Sequence, residues 1–309
     1  MESSKQVALV VGASRGIGRH VAVDLARAGY RVVVSAKSTS DASKVHPFPP
    51  DPNSSQSTIN TVAREIQEAG GEAIAIAADT RDPEAVKNMV DQAVATFGRL
   101  DVLVYNSGAI WWASIENTPF KRYKLMQQVN VEGLYSTVQA ALPHFKTQDW
   151  KGRIIVVSPP IYSRFFRGKA AYAMGKVAMS VLTKGLAMDF MREGKKDMAI
   201  SSMWVATAIQ SAATVGRDAE VLNDLRKPTI FSDAVLAMLR APAPEVNGCL
   251  EVDEDFLRKT GVTDFSKYSL VPGSSPRRIM PAEFPDLTVA EQEDEGRRMD
   301  SSKTRTSRM

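Results

Sequence analysis

The sequence predicts an α/β fold, a doubly wound sheet of parallel strands, on three observations. Short Val-, Ile- and Ala-rich runs alternate with amphipathic helical stretches over most of the chain. The first five runs are almost wholly apolar, as parallel strands covered on both faces require. The first run passes through a glycine-rich turn directly into a helical pattern.

In chain order, strands are expected at 7–11, 31–35, 73–77, 101–105, 153–157, 199–204 and 249–252. Helices are expected between them at 16–27, 58–69, 83–97, 119–146, 170–192 and 232–239. Two segments break the rhythm. Residues 38–57 are rich in Ser, Pro and Asp and read as a surface loop after the second strand, either a flap beside a ligand pocket or a tolerated insertion. After about Asp253 the alternation stops, and Pro272, Pro276, Pro281 and Pro285 punctuate an irregular stretch before the charged residues 291–309. The expected organisation is a single domain over 1–253, with an irregular C-terminal extension packing on it and a flexible tail over 254–309.

Composition narrows the function classes. The 309 residues are 44% hydrophobic and 24% charged, enough for a core and against wholesale disorder. The net charge of +4 is too small to argue for nucleic acid or a membrane surface, and no apolar run suggests a membrane span. Cys249 is the only cysteine, which excludes an intrachain disulfide and a cysteine-based zinc site and fits a reducing compartment. His20, His46 and His144 are scattered, so no metal is expected. The Met1-Glu2-Ser3-Ser4-Lys5 start lacks the pattern of a secretory signal.

The turn after the first strand reads Gly12-Ala13-Ser14-Arg15-Gly16-Ile17-Gly18. A pyrophosphate must approach backbone N–H groups at a helix N-terminus, where the partial positive charge helps hold it. A Cβ at the glycine positions would obstruct the turn, the approach, or the packing of helix on strand. Position between first strand and first helix makes this a dinucleotide-binding, Rossmann-type signal. The second strand ends Val34-Ser35-Ala36-Lys37-Ser38, without the carboxylate that selects the 2′-hydroxyl of NAD. Lys37 and Arg15 are placed to meet a 2′-phosphate, so the expected cofactor is NADP.

Tyr172 and Lys176 stand four apart at the start of an expected helix, on one face. A free phenol has a pKa of about 10, too high for efficient proton exchange near neutrality. The nearby ammonium is expected to lower it.

With these residues the chain resembles the short-chain dehydrogenase/reductase family over 5–253. The marks are the glycine turn at 12–18, Asp79-Thr80 after the third strand, Asn106-Ser107-Gly108 after the fourth, Asn130 within Val129-Asn130-Val131, and Tyr172 with Lys176. The resemblance implies that Asp79 and Thr80 contact the adenine and that Asn106, Ser107 and Gly108 line the cofactor cleft. It implies that Asn130 supports a water relay to Lys176, and that Lys176 also binds the nicotinamide ribose. It further implies a homodimer or homotetramer joined through long helices bearing Leu134, Val138, Leu142, Val177, Val181 and Leu186. Ser35-Ala36-Lys37-Ser38, Ser158-Pro159-Pro160, the run at 204–209, Val252-Asp253-Glu254-Asp255 and Lys267-Tyr268 with Pro272-Gly273 resemble the hydroxysteroid dehydrogenase-like branch. That branch is associated with peroxisomes or mitochondria and lipid metabolism. Ser307-Arg308-Met309 fits the small–basic–aliphatic pattern of a peroxisomal address, with a cytoplasmic location otherwise.

Three departures stand out. Most of the family has a Ser thirteen residues before the Tyr; here that place is Pro159, and the hydroxyl is one step earlier at Ser158. Ser158 either polarises the carbonyl or merely ends the fifth strand. Val205-Ala206 stands where Pro-Gly usually shapes the nicotinamide pocket, and Tyr105 replaces the first Asn of the Asn-Asn-Ala-Gly turn. Trp111, Trp112, Phe165, Phe166 and Trp204 lie on segments leaving the carboxyl ends of strands, as walls for an apolar or aromatic substrate or as core and subunit contacts. Arg164 and Arg167 either meet an acidic substrate group or are solvated.

The leading expectation is an NADP(H)-dependent oxidoreductase acting on a small-molecule carbonyl or alcohol. Tyr172 serves as acid/base, with Lys176, Asn130 and Ser158 around it. The alternatives are a reductase of an activated C=C or C=N bond, a cofactor-bound non-redox enzyme, and a non-catalytic NADPH-binding protein.

Overall fold

The computed structural model describes residues 5–162, 168–211, 214 and 218–285. From the N-terminus run β1 (Val7–Val11), α1 (Gly16–Arg27), β2 (Arg31–Ala36), α2 (Ile59–Glu68), β3 (Glu72–Ala77), α3 (Pro83–Phe97) and β4 (Val102–Tyr105). Then come α4 (Phe120–Met126), α5 (Gly133–Thr147), β5 (Gly152–Val157), α6 (Ala170–Arg192), β6 (Met198–Trp204) and β7 (Ala208–Ile209). The remainder is α7 (Ala219–Asn223), β8 (Leu225–Arg226), α8 (Thr229–Arg240), α9 (Ala243–Val246), β9 (Leu250–Val252) and α10 (Asp253–Lys259).

Seven strands form one sheet in the order β3-β2-β1-β4-β5-β6-β9, every neighbouring pair parallel. The order runs outward in opposite directions from β1 and β4, and a crevice opens beyond their carboxyl ends. Alternation along β1 divides the core. Ala8 and Val10 pack with α1, α2 and α8 on one face; Leu9 and Val11 pack with α3, α5 and α6 on the other. The doubly wound fold read from the sequence is therefore the fold observed, and α1, α3 and α6 begin and end at the expected residues.

The expected continuous helix over 119–146 is interrupted. Between α4 and α5 lies one π-helical stretch, Gln127–Glu132. The cause is Tyr105, whose hydroxyl donates to the Val129 carbonyl at 2.5 Å. It reaches the helix because Gly133 has no Cβ; one there would collide with the Tyr105 hydroxyl and with Thr80. A side chain inserted into the ladder distorts a helix in this way. The apolar faces also differ from expectation: Leu134 and Val138 are buried in the molecule's own core. The exposed large apolar side chains on these helices are Phe120, Tyr135, Met174, Met191 and Val181, the last of them one of the residues expected there.

Residues 38–57 are tied down across the start of α1. Pro52 carbonyl accepts from Gly16 N–H at 3.0 Å, and Ser57 Oγ donates to the Ser14 carbonyl at 2.7 Å. At the other end, the alternation carries one helix further than expected, since α10 follows β9 directly and buries Phe256 and Leu257 in the core. Asp253 opens α10. It is fully buried, and its Oδ1 accepts from Ala206 N–H at 2.8 Å and Glu254 N–H at 2.7 Å. The Ala206 carbonyl in turn accepts from Ile279 N–H at 2.8 Å and Met280 N–H at 3.1 Å. Arg278 clamps both oxygens of Asp255 at 2.6 and 2.5 Å. The charged stretch 291–309, with Ser307-Arg308-Met309, lies outside the described residues.

Burial pushes the Asp253 carboxyl up from 3.8 to about 7, against the two backbone N–H groups that lower it. A folded value above the unfolded one means the group favours folding at low pH, and this contribution is lost as pH rises through the folded value. Asp253→Asn keeps the Oδ1 acceptor without the buried charge. Its Tm should therefore exceed that of the wild type at pH 8, by a few degrees, with the gap closing towards pH 4 in parallel calorimetric scans.

Candidate active site

The glycine turn is built by contact rather than by sequence alone. Gly12 has φ +87°, and a Cβ on it would stand 2.6 Å from Ser107 N. A Cβ on Gly18 would run into the Gly12 carbonyl oxygen and lie 2.5 Å from Asn106 Nδ2. Asn106 Nδ2 donates to that same carbonyl at 2.9 Å. The turn after β1 and the turn after β4 are thus locked backbone to backbone, and only glycine fits.

Beyond them lies a cavity of about 350 Å³. The structure brings Gly12, Ser14, Arg15, Lys37, Asp79, Thr80, Asn106, Ser107 and Gly108 to its wall. Gly16, Ile17 and Gly18 follow in the same turn and first helical turn, without forming that wall. A cradle that a Cβ would fill, a helix N-terminus and two expected cations suit a phosphorylated dinucleotide. Sequence reasoning missed Arg81, a third cation on the wall. Its only signal was its place two residues after Asp79. Arg81 grips the Asp79 carboxylate, holding it down to about 2, with Lys37 adding to the effect.

Gly108 joins the cavity to a buried polar cluster. From its Cβ position, Lys176 Nζ is 3.5 Å away and Asn130 Oδ1 is 3.6 Å away. Asn130, in the π-helical stretch, is fully buried and clamps Ala109: Oδ1 accepts from Ala109 N–H at 2.8 Å and Nδ2 donates to its carbonyl at 3.2 Å. Tyr105, noted in the sequence only as a departure, fixes the neighbouring Val129 and so positions Asn130.

Lys176 and Tyr172 occupy successive turns of α6, each 3% exposed. Lys176 Nζ donates to the Val157 carbonyl at 2.7 Å and lies 5.3 Å from the centre of the Trp204 ring. Burial lowers the ammonium from 10.5 to about 7. Burial also raises the Tyr172 phenol. The sequence argument expected Lys176 to lower it; in the free protein desolvation wins, because both groups are out of water.

Ser158 is fully buried, and its Oγ lies within hydrogen-bond reach of Ser180 Oγ at 3.0 Å. Ser180 lies eight residues beyond Tyr172 on α6, about 12 Å along the axis at 1.5 Å per residue. Ser180 donates to the Pro159 carbonyl at 2.6 Å, so the hydroxyl pair staples the end of β5 to α6. No sequence motif had singled out Ser180.

Of the aromatic walls, Trp112 is 60% exposed, and its ring lies nearly perpendicular to that of Tyr172 with centres 6.2 Å apart. Trp111 and Trp204 join the apolar cluster containing Tyr172, as do Met280 and Phe284 of the extension. Arg122 stacks over Trp111 at 4.7 Å. Arg164, Phe165, Phe166 and Arg167 lie outside the described residues. A second depression of about 420 Å³, between α1 and α8, carries none of these motif residues.

Residues 12–235 match the family model described as enoyl-(acyl carrier protein) reductase. Hydroxysteroid dehydrogenase-like protein 2 of Danio rerio is 36% identical over 85% of this chain, which covers 60% of that relative's length. The chain thus spans a little over half of the curated relatives it matches. A short-chain dehydrogenase of Mycobacterium thermoresistibile superposes with a TM-score of 0.78 at 34% identity, over 92% of this chain and 98% of its own. A metagenomic short-chain oxidoreductase in complex with NADP gives 0.61 at 25% identity, over 80% and 96%. The chain belongs to the short-chain dehydrogenase/reductase family, oxidoreductases that use a nicotinamide cofactor on small molecules.

Proposed function

We propose that this chain is an NADP(H)-dependent oxidoreductase that interconverts a ketone or aldehyde and an alcohol on an apolar or aromatic small molecule. The observation that carries the reading is Gly108, whose backbone lines the nucleotide cavity while its bare Cα faces Lys176 and Asn130. Nucleotide cradle and proton-handling residues therefore adjoin.

The turn at 12–18 offers N–H groups to the pyrophosphate, and Lys37 with Arg15 meets the 2′-phosphate. The NADP carried by the metagenomic relative supports this choice. Asp79 stays ionised because Arg81 neutralises it, and it accepts a hydrogen bond from the adenine amino group. The bound dinucleotide supplies or receives the hydride. Tyr172 Oη gives its proton to the carbonyl oxygen, or takes one from the alcohol. Its raised pKa in the free protein keeps that proton in place until ligands arrive. Lys176, poised near 7, becomes protonated beside an anionic nucleotide and then favours the phenolate. Asn130 holds the Ala109 backbone and supports the relay to Lys176. Ser158 reads better as part of the β5–α6 staple than as the polariser. We further propose that the exposed apolar residues Phe120, Tyr135, Met174 and Val181 serve self-association into a dimer or tetramer.

A second reading, reduction of a C=C bond conjugated to a carbonyl, is favoured by the engagement of the Ser158 hydroxyl with Ser180 and by the enoyl reductase description of the matching model. An enone as substrate separates the two: loss of the alkene supports the second reading, loss of the ketone the first.

Tyr172→Phe should lower kcat by about 10²–10⁴-fold, the scale of a lost general acid. Its Kd for NADPH should stay within about twofold of wild type, because the groups read as holding the nucleotide are elsewhere in the site. Absorbance at the nicotinamide band reads the first and fluorescence titration the second; full turnover in this variant removes the proton role. Lys37→Ala should weaken NADPH by about 10–100-fold, the scale of one charge-assisted bond, and leave NADH almost unmoved. Equal losses for both nucleotides would overturn the 2′-phosphate assignment.

A further inference from the structure

The loop between β2 and α2 supplies a side chain to the start of α1 that no motif predicts. Gly16 has φ +55° and is the second glycine of the turn, the position where a missing Cβ lets a pyrophosphate come close. Among the described residues, the heavy atom facing that missing Cβ within 4 Å is Asn53 Oδ1, at 3.8 Å. Asn53 is only 6% exposed. Its Oδ1 has no hydrogen-bond partner, and its Nδ2 makes no hydrogen bond to the described residues either. A carboxamide carries two donors and two acceptor lone pairs, and burying it unpaired is unfavourable. The backbone is nonetheless held in place, with Asn53 N–H donating to Asp51 Oδ1 at 2.7 Å and the adjacent Pro52 carbonyl accepting from Gly16 N–H.

That last contact changes the anion site. The N–H of Gly16, first in α1, is one of those that would face a phosphate, and a carbonyl oxygen now occupies it. A carbonyl beside a phosphate repels it. A replacement donor at the same place would restore the balance, and the unpaired amide is there. Asn53 is not spent on capping the helix, since the N-cap residue Arg15 marks an end with no side-chain cap bond. A half-turn of the carboxamide exchanges Oδ1 for Nδ2.

We propose that Asn53 is a pyrophosphate-binding residue: its Nδ2, turned towards Gly16, donates to a phosphate oxygen of the bound dinucleotide. The inserted loop is then part of the cofactor site, exchanging one backbone donor for a side-chain donor. This rests on the nucleotide reading above, and the test separates the two.

NADPH and 2′-AMP are titrated against the full chain, the first by nicotinamide fluorescence and the second by calorimetry. Asn53→Ala should weaken NADPH about tenfold or more, the scale of a hydrogen bond to a charged group. It should leave 2′-AMP, which has no pyrophosphate, within twofold. Asn53→Asp should weaken NADPH further, by setting a carboxylate against the phosphate. Lys37→Ala is the control and weakens both ligands. Thermal melting of Asn53→Ala should match wild type, because its carboxamide has no partner in the free protein; Asn53→Ser serves the same titrations should it melt early. NADPH binding within twofold of wild type in the alanine and serine variants overturns the inference, as does an equal loss for 2′-AMP. If wild type binds neither ligand, the nucleotide reading falls and takes this one with it.

Discussion

The contact between Gly12 and the 106–107 turn governs where everything else in the site can stand. Two strands adjacent in the sheet but far apart in sequence end in turns that touch main chain to main chain. Asn106 then spans the gap with its amide on the Gly12 carbonyl, and Gly18 presses the first helical turn against the same oxygen. Any side chain at these glycines would separate β1 from β4 or tilt α1 away. The helix N-terminus, the 106–108 turn and the cavity between them are therefore one rigid unit. Lys37 and Asp79 enter it from the ends of β2 and β3, which the parallel register holds level with β1.

A second constraint is the placement of a cation in the interior. Lys176 has the Val157 carbonyl and the face of Trp204 for company, and burial pushes it towards the neutral amine. Tyr172 is pushed the other way, towards keeping its proton. Both effects drive the pair to neutrality in the free protein. Titratable groups shifted this far by burial cluster at functional sites. The folded value of Lys176 lies below the unfolded one, so its penalty grows as pH falls from about 10 towards 7.

Strand and helix positions were legible because the signals are local: apolar runs for strands buried on two faces, amphipathic stretches between, a glycine turn before α1. The π-helical stretch was not, because it depends on Tyr105 reaching Gly133 from another strand, and no periodicity records that. The glycine, Lys37, Asp79 and Asn106 positions were legible as motifs with fixed places in the strand order. Arg81 was not, since an exposed arginine after a turn has no signature until its carboxylate partner is seen. The role of the Ser158 hydroxyl was open in the sequence because one residue of loop decides its direction. In space that hydroxyl meets Ser180, two turns along α6 from Tyr172.

The departures at Val205-Ala206 and the extension after β9 are two views of one arrangement. Where the family usually fixes this corner with Pro-Gly, here Ala206 is held from both sides of its peptide. Its N–H goes to Asp253 and its carbonyl to Ile279 and Met280. The backbone geometry that a proline would set covalently is set by hydrogen bonds from a later part of the chain. Arg278, bound to Asp255, keeps that later part in place. Met280 and Phe284 thereby enter the apolar cluster that contains Tyr172, whose phenol pKa is raised by burial. Chain that lacks regular structure can still set the electrostatics of a buried group, because desolvation depends on which atoms exclude water and not on the element they belong to.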